Sequence, residues 1–206
     1  MGTSNKMAID HFAEKSKSWD MNSKRVHNAK SIADGISGGI ELNSSMTLMD
    51  FGAGTGLLSY FIAPMVDRIV AVDNSPSMLE KFKEKRAEFD CKTEVLELDL
   101  TVATLERKFD GIISSMTVHH LEDTKALFQK FYEMLEGGGF LAIADLDTED
   151  GTFHSDNKGV FHFGFDRKEL EKIALEVGFK NIHFKLVSTI NKPHATFTVF
   201  LMLAER

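Results

Sequence analysis

The sequence predicts a doubly wound α/β sheet, mostly parallel and closed by an antiparallel hairpin. Three observations carry this. The apolar run Thr47–Phe51 holds Asp50 near its exit and leads into Gly52, Gly54 and Gly56 at alternate positions. A second apolar run, Ile69–Val72, ends in Asp73, twenty-one residues after Gly52. Strand-like and helix-like stretches then alternate until two long β-rich runs, Asn181–Ile190 and Ala195–Leu203, are joined by Asn191–His194 alone. A link that short joins antiparallel strands, because a parallel crossover needs about a dozen residues or more.

Each element has a local cause. Val26, Ala29, Ile32, Ala33, Ile36 and Ile40 recur at helical spacing with Gly38-Gly39 near the stop, so residues 1–45 read as a helical N-terminal segment in two pieces. Strand one is Thr47–Phe51, and a helix from about Thr55 to Ala63 ends at Pro64. Strand two is Arg68–Asp73. Ser75 then serves as N-cap and Pro76 as first helical residue, where its missing N–H costs nothing, for a helix to about Phe89. Strand three is Thr93–Leu98 and strand four Phe109–Ser115. Leu127, Phe128, Phe131, Met134 and Leu135 share one face of a helix over about Asp123–Leu135, stopped by Gly137-Gly138-Gly139. Strand five is Phe140–Asp145. After a long aromatic connection, Asp147–Phe165, a capping-box-like Asp166–Glu169 starts a helix whose buried face is Leu170, Ile173, Ala174 and Val177, and Gly178 ends it.

Composition narrows the function. The chain has 206 residues, 43% of them apolar, and a formal charge of −7. That is one domain of ordinary size. No lysine or arginine run stands out, which argues against nucleic acid as a partner. No apolar stretch is long enough for a bilayer, and the start is polar, so the expectation is a cytoplasmic protein without a membrane partner. The single cysteine, Cys91, excludes a disulfide framework within one chain.

The segment Asp50–Gly56 reads D-x-G-x-G-x-G. In a dinucleotide fingerprint, G-x-G-x-x-G, the third glycine would fall on Leu57. A strand, glycine turn, helix, strand and carboxylate open a sheet that holds a nucleoside. Gly52 permits the sharp strand exit, Gly54 lets the backbone approach a ligand, and Gly56 lets the helix pack close. Asp73, at the neighbouring strand tip, is placed to accept hydrogen bonds from both ribose hydroxyls. On these residues and the terminal hairpin, the chain resembles the class I S-adenosylmethionine-dependent methyltransferases that act on small molecules. The resemblance covers about Met46 to Arg206. It implies a Rossmann-like sheet of seven strands in the order 3-2-1-4-5-7-6, with residues 46–206 binding the donor S-adenosylmethionine and residues 1–45 as a lid.

The same resemblance implies that Asp50 with Gly52, Ala53, Gly54 and Gly56 holds the methionine portion, and Asp73 and Asn74 the ribose. Asp99 takes the adenine amino group, Leu100 packs near the ring, and Ser115 lies on the same rim. Two alternatives stay open: Asp50 as a tie for the turn, and Asp99 as a strand-end turn acid. Methyl transfer needs little beyond in-line positioning. If the acceptor must lose a proton, His119, His120, His154 and His162 are the titratable candidates, with His120 first as a rim residue. Trp19, His154 and Phe161 are candidates for the acceptor pocket, alongside Phe12, Arg25, Phe153, Phe163 and Phe165. The histidines offer no i, i+4 helical pair and no accompanying cysteine, so no metal is expected. Asp145, Asp147, Glu149 and Asp150 offer oxygen ligands for a divalent cation, though acidic strand exits are usually just solvated. The strand-four tip, Ser114–Thr117, lacks the Asn/Asp-Pro-Pro-aromatic run of enzymes that methylate base amines, and Cys91 lies on the wrong edge for a cytosine nucleophile.

Two other functions compete. An NAD(P)-dependent oxidoreductase is disfavoured by Leu57 and by the lack of Tyr-x-x-x-Lys, since Tyr60 and Tyr132 are followed four residues later by Pro64 and Glu136. The other is a non-catalytic S-adenosylmethionine-binding sensor or partner subunit. The acceptor, the atom methylated and the oligomeric state are not written in local patterns.

Overall fold

The computed structural model describes residue 10 and residues 13–206; Phe12 lies outside them. Among the described residues the strands are β1 (Thr47–Phe51), β2 (Arg68–Asp73), β3 (Lys92–Glu97), β4 (Phe109–Ser115), β5 (Leu135–Leu146), β6 (Lys180–Asn191) and β7 (Thr196–Glu205). They form one sheet in the order β3-β2-β1-β4-β5-β7-β6. The first five are parallel, while β7 runs antiparallel to both β5 and β6. This is the expected order and handedness of pairing.

The helices are α1 (Ala13–Ser16), α2 (Ser23–Ser37), α3 (Leu57–Ile62), α4 (Pro76–Glu84), α5 (Thr124–Met134) and α6 (Arg167–Val177). Alternate residues of the inner strands feed two cores on opposite faces of the sheet. Met49, Phe51, Val70 and Val72 meet Phe128 and Phe131 of α5 on one side. Leu48, Ile69 and Ala71 meet Ile32 and Ile36 of α2 and Ile62 of α3 on the other. Each fully buried isoleucine there contributes about 2 kcal/mol of transfer free energy. Of the segment read as a lid, α2 is therefore a covering helix of the sheet. Asp10 and Asp20, before it, reach the rim.

Three boundaries differ from the periodicity, each for a packing reason. α4 stops at Glu84, not near Phe89, because Phe89 turns back to stack on Phe82 at 4.7 Å. α3 begins at Leu57 because Gly56, at φ 85°, is its left-handed N-cap. The triple glycine does not end α5: Leu135, fully buried, already leaves the helix and pairs with Phe109, and the glycines form an irregularity inside β5. No helix among the described residues is long and apolar enough to cross a membrane.

Candidate functional site

The carboxyl ends of β1, β2 and β4 meet at the glycine loop. Gly52 and Ala53 donate their N–H groups to Val72 O (2.8 and 3.2 Å), which clips the loop to β2. At Gly52, with φ 68°, an added Cβ would fall 2.2 Å from Thr117 Cγ2. Gly54, at φ 56°, differs: its Cβ position faces open space, with Gly52 O at 4.0 Å the nearest atom. Its N–H donates to Asp73 Oδ2 at 2.8 Å, and Ser75 N–H donates to Oδ1 at 2.8 Å. Burial pushes the Asp73 carboxyl up in pKa, against the opposing pull of these amides. The Asn74 amide also acts on this carboxylate, which has about four lone-pair sites, so capacity remains for a ligand hydroxyl.

The other residues implied for the donor divide. Asp50 is 1% exposed and accepts the Ser59 hydroxyl at 2.6 Å beneath the loop, the bonding of a turn tie. Burial raises its pKa to about 7. The Ala53 methyl turns down into the core. Leu100 is likewise a core residue, 2% exposed. Asp99 Oδ1 accepts the N–H and hydroxyl of Thr101 at 2.8 and 2.6 Å, a local turn bond. Asn74 is exposed and Ser115 half-buried on the rim.

The N-terminal segment is stitched to this rim by two carboxylates that sequence reasoning missed. Asp10 accepts the Ser75 hydroxyl (2.9 Å) and Ser77 N–H (3.1 Å) at the start of α4. Asp20 accepts the Thr55 hydroxyl at 2.5 Å and pairs with Lys85. Trp19 is half-buried, with the Arg25 guanidinium 3.8 Å over its ring.

At the tip of β4 the backbone passes through Met116 at φ 56°, a left-handed residue without glycine's freedom. His119 and His120 follow in a short 3-10 turn, Val118–His120. His119 Nδ1 lies 2.7 Å from Asp145 Oδ1, both side chains buried, and His119 N–H donates to the other oxygen at 3.1 Å. Asp145 is thus not a solvated strand-exit acid. Nor is Asp147, which Arg167 grips with two bonds of 2.6 and 2.7 Å. The connection after β5 hangs on this tip, since Phe161 N–H and His162 N–H both donate to His119 O. It brings His154 to His119 and His120, with ring centroids 5.0 and 5.6 Å away. Burial, then the two neighbouring histidines, pushes the His154 pKa down to about 4, and burial lowers His120 as well.

His162 stands apart: its Nε2 bonds Leu121 O at 2.8 Å, so it is an anchor for the connection. Phe161 is 56% exposed, while Phe165 is a core residue. The three histidines meet because residue 154 folds back over the β4 tip, a return that no local periodicity encodes.

Residues 48–139 match a family model described as a methyltransferase domain. The chain carries a methyltransferase-domain match and has the fold of the class I S-adenosylmethionine-dependent methyltransferases. An uncharacterized methyltransferase of Schizosaccharomyces pombe is 31% identical over 173 residues, covering 76% of this chain and 59% of that protein. Phosphoethanolamine N-methyltransferase 1 of Triticum aestivum is 30% identical over 115 residues, 55% of this chain and 23% of its own length. The chain thus spans 59% or less of the length of these curated relatives. A methyltransferase of Haloferax volcanii, solved with the Trm112 activator, superposes with a TM-score of 0.74 at 14% identity, over 95% of this chain and 96% of that one.

Proposed function

We propose that this chain binds S-adenosylmethionine across the ends of β1, β2 and β4 and transfers its methyl group to a small-molecule acceptor by in-line displacement. The observation that carries the reading is the pairing of Gly54 with Asp73: an open glycine whose amide holds a carboxylate with lone pairs to spare. Dinucleotide sites place the third glycine one residue later, at Leu57 here. A small-molecule acceptor suits the net charge of −7 and the phosphoethanolamine enzyme among the relatives.

Bound there, S-adenosylmethionine supplies an electrophilic methyl group on a sulfonium. Asp73 would orient the ribose, and the loop backbone would lie against the donor at Gly54. Asp10 and residues 13–22, the latter held by Asp20, would exclude water from the reacting atoms. The histidine cluster lies near the glycine loop, since Thr117, two residues before His119, packs against Gly52, and it would border the acceptor. Acceptor choice would fall to the connection 147–165, with His154 in it, and to Trp19.

The test is calorimetric titration with S-adenosylhomocysteine, with NADH in parallel. Micromolar binding of the first, lost in Asp73→Ala, is the expected result. Binding of NADH alone sinks the proposal. Donor binding without turnover over a broad acceptor panel would point to the sensor reading.

A further inference from the structure

Three imidazoles converge at the tip of β4. One ring nitrogen each of His119, His120 and His154 lies within 4.8 Å of the other two. Their protonation pattern follows from their partners. Asp145 Oδ1, 2.7 Å from His119 Nδ1, is an acceptor, so Nδ1 carries the proton and Nε2 the lone pair. Gly159 O can only accept, so His120 Nδ1, 2.7 Å away, also carries the proton, which again leaves Nε2 as the basic nitrogen. Among the described residues, His119 Nε2 and His154 Nε2 are buried without a hydrogen-bond partner.

Two buried nitrogens without partners are a cost that folded proteins rarely tolerate without use. A proton cannot serve all three sites, since charge on one ring repels charge on the next. A metal ion can. Metal-binding histidines characteristically donate their second ring N–H to a carboxylate or a backbone carbonyl, which fixes the tautomer. His119 with Asp145 and His120 with Gly159 O are the two versions of that arrangement. Neutral imidazole nitrogen selects zinc, copper, nickel or iron over magnesium or calcium, which prefer oxygen.

We infer that His119, His120 and His154 form a binding site for a divalent transition-metal ion of the zinc class, one ring nitrogen from each. Three protein ligands leave a fourth position for water or substrate, as in catalytic and unlike closed structural zinc sites. Ligand nitrogens at about 2.0–2.1 Å from zinc stand roughly 3.3 Å apart, so the widest pair here closes by about 1.5 Å on binding. His154 is the mobile partner in that closure: it is half-buried and lies on the connection, whereas His119 is pinned in the sheet by Asp145. The site stands independently of the donor site, which shares none of these three residues.

The experiment is titration of chelator-treated full-length protein with cobalt(II) chloride, followed by zinc chloride. One equivalent of cobalt, with the intense visible absorption of four-coordinate geometry and displacement by one equivalent of zinc, is expected. His154→Gln, on a connection outside the sheet, should lose at least about 100-fold in affinity while its circular dichroism is unchanged. Asp145→Asn should weaken binding by roughly 10–100-fold. His183→Gln, on β6 and outside the cluster, should leave uptake unaltered. No stoichiometric uptake by the wild type, or uptake equal in His154→Gln and His120→Gln, overturns the site. S-adenosylhomocysteine titrated into the same samples separates the two proposals: donor binding without metal uptake defeats only this one.

Discussion

Asp20 and Thr55 join segments thirty-five residues apart: the Thr55 hydroxyl donates to Asp20 Oδ1 at 2.5 Å, and the second carboxylate oxygen pairs with Lys85. Thr55 lies inside the glycine loop and is 2% exposed. The N-terminal segment and the loop therefore share a hydrogen bond, so loosening one loosens the other.

Asp20→Ala should cost on the order of 1–3 kcal/mol, because it leaves the buried Thr55 hydroxyl unpaired, while the partly exposed Lys85 pair adds little. It also acts locally. Limited proteolysis should cut residues 10–22 faster, and the fluorescence of the single tryptophan, Trp19, should shift. An unchanged cleavage pattern would mean that this segment is held by other contacts.

Gly52→Ala and Gly54→Ala should separate folding from binding. Both positions have positive φ, so each alanine costs about 1–2 kcal/mol for the left-handed backbone. Only at Gly52 does the new methyl also strike Thr117, at 2.2 Å, adding roughly 1–3 kcal/mol of overpacking. Urea denaturation should rank Gly52→Ala well below Gly54→Ala in stability. Calorimetry should show that Gly54→Ala, though folded, loses donor affinity.

Asp50 predicts a pH dependence. Burial raises its folded pKa to about 7 from 3.8, so the native state binds the proton more tightly than the unfolded chain. A raised carboxyl pKa means full stability below pH 3.8, and a contribution that falls as pH climbs from 3.8 to 7 and is flat above. The whole span is on the order of 4 kcal/mol. Asp50→Asn keeps an acceptor for Ser59 but cannot ionise. Its stability relative to wild type should therefore increase between pH 5 and pH 8 in urea denaturation. A difference that does not vary with pH would contradict the assignment.

Asp145→Asn should destabilise the fold by removing one atom's capacity to accept. The carboxylate takes His119 Nδ1–H, His119 N–H and Leu146 N–H, all in the interior. An amide has only one oxygen to accept them, and each buried donor left unpaired costs about 1–3 kcal/mol. Thermal denaturation should show a loss of several degrees, on the order of 4 °C or more.

Local patterns alone determined the glycine loop, Asp73 at the β2 tip, the alternation of strands and helices, and the closing hairpin. Each is set by interactions within a few residues: φ > 0 at glycine, side-chain period, N-caps such as Ser75, and a link too short for a crossover. The family resemblance added the strand order. Tertiary structure decided what lies between elements. Asp145 is acidic and near a strand end, yet it is buried because His119 folds onto it. His154 joins His119 and His120 because the connection's backbone hangs on His119 O, and Asp20 reaches Thr55 across the rim. Such contacts depend on where the chain returns in space. Periodicity records only which face a residue takes on its own helix or strand, and the sheet's assembly selects the partner across it.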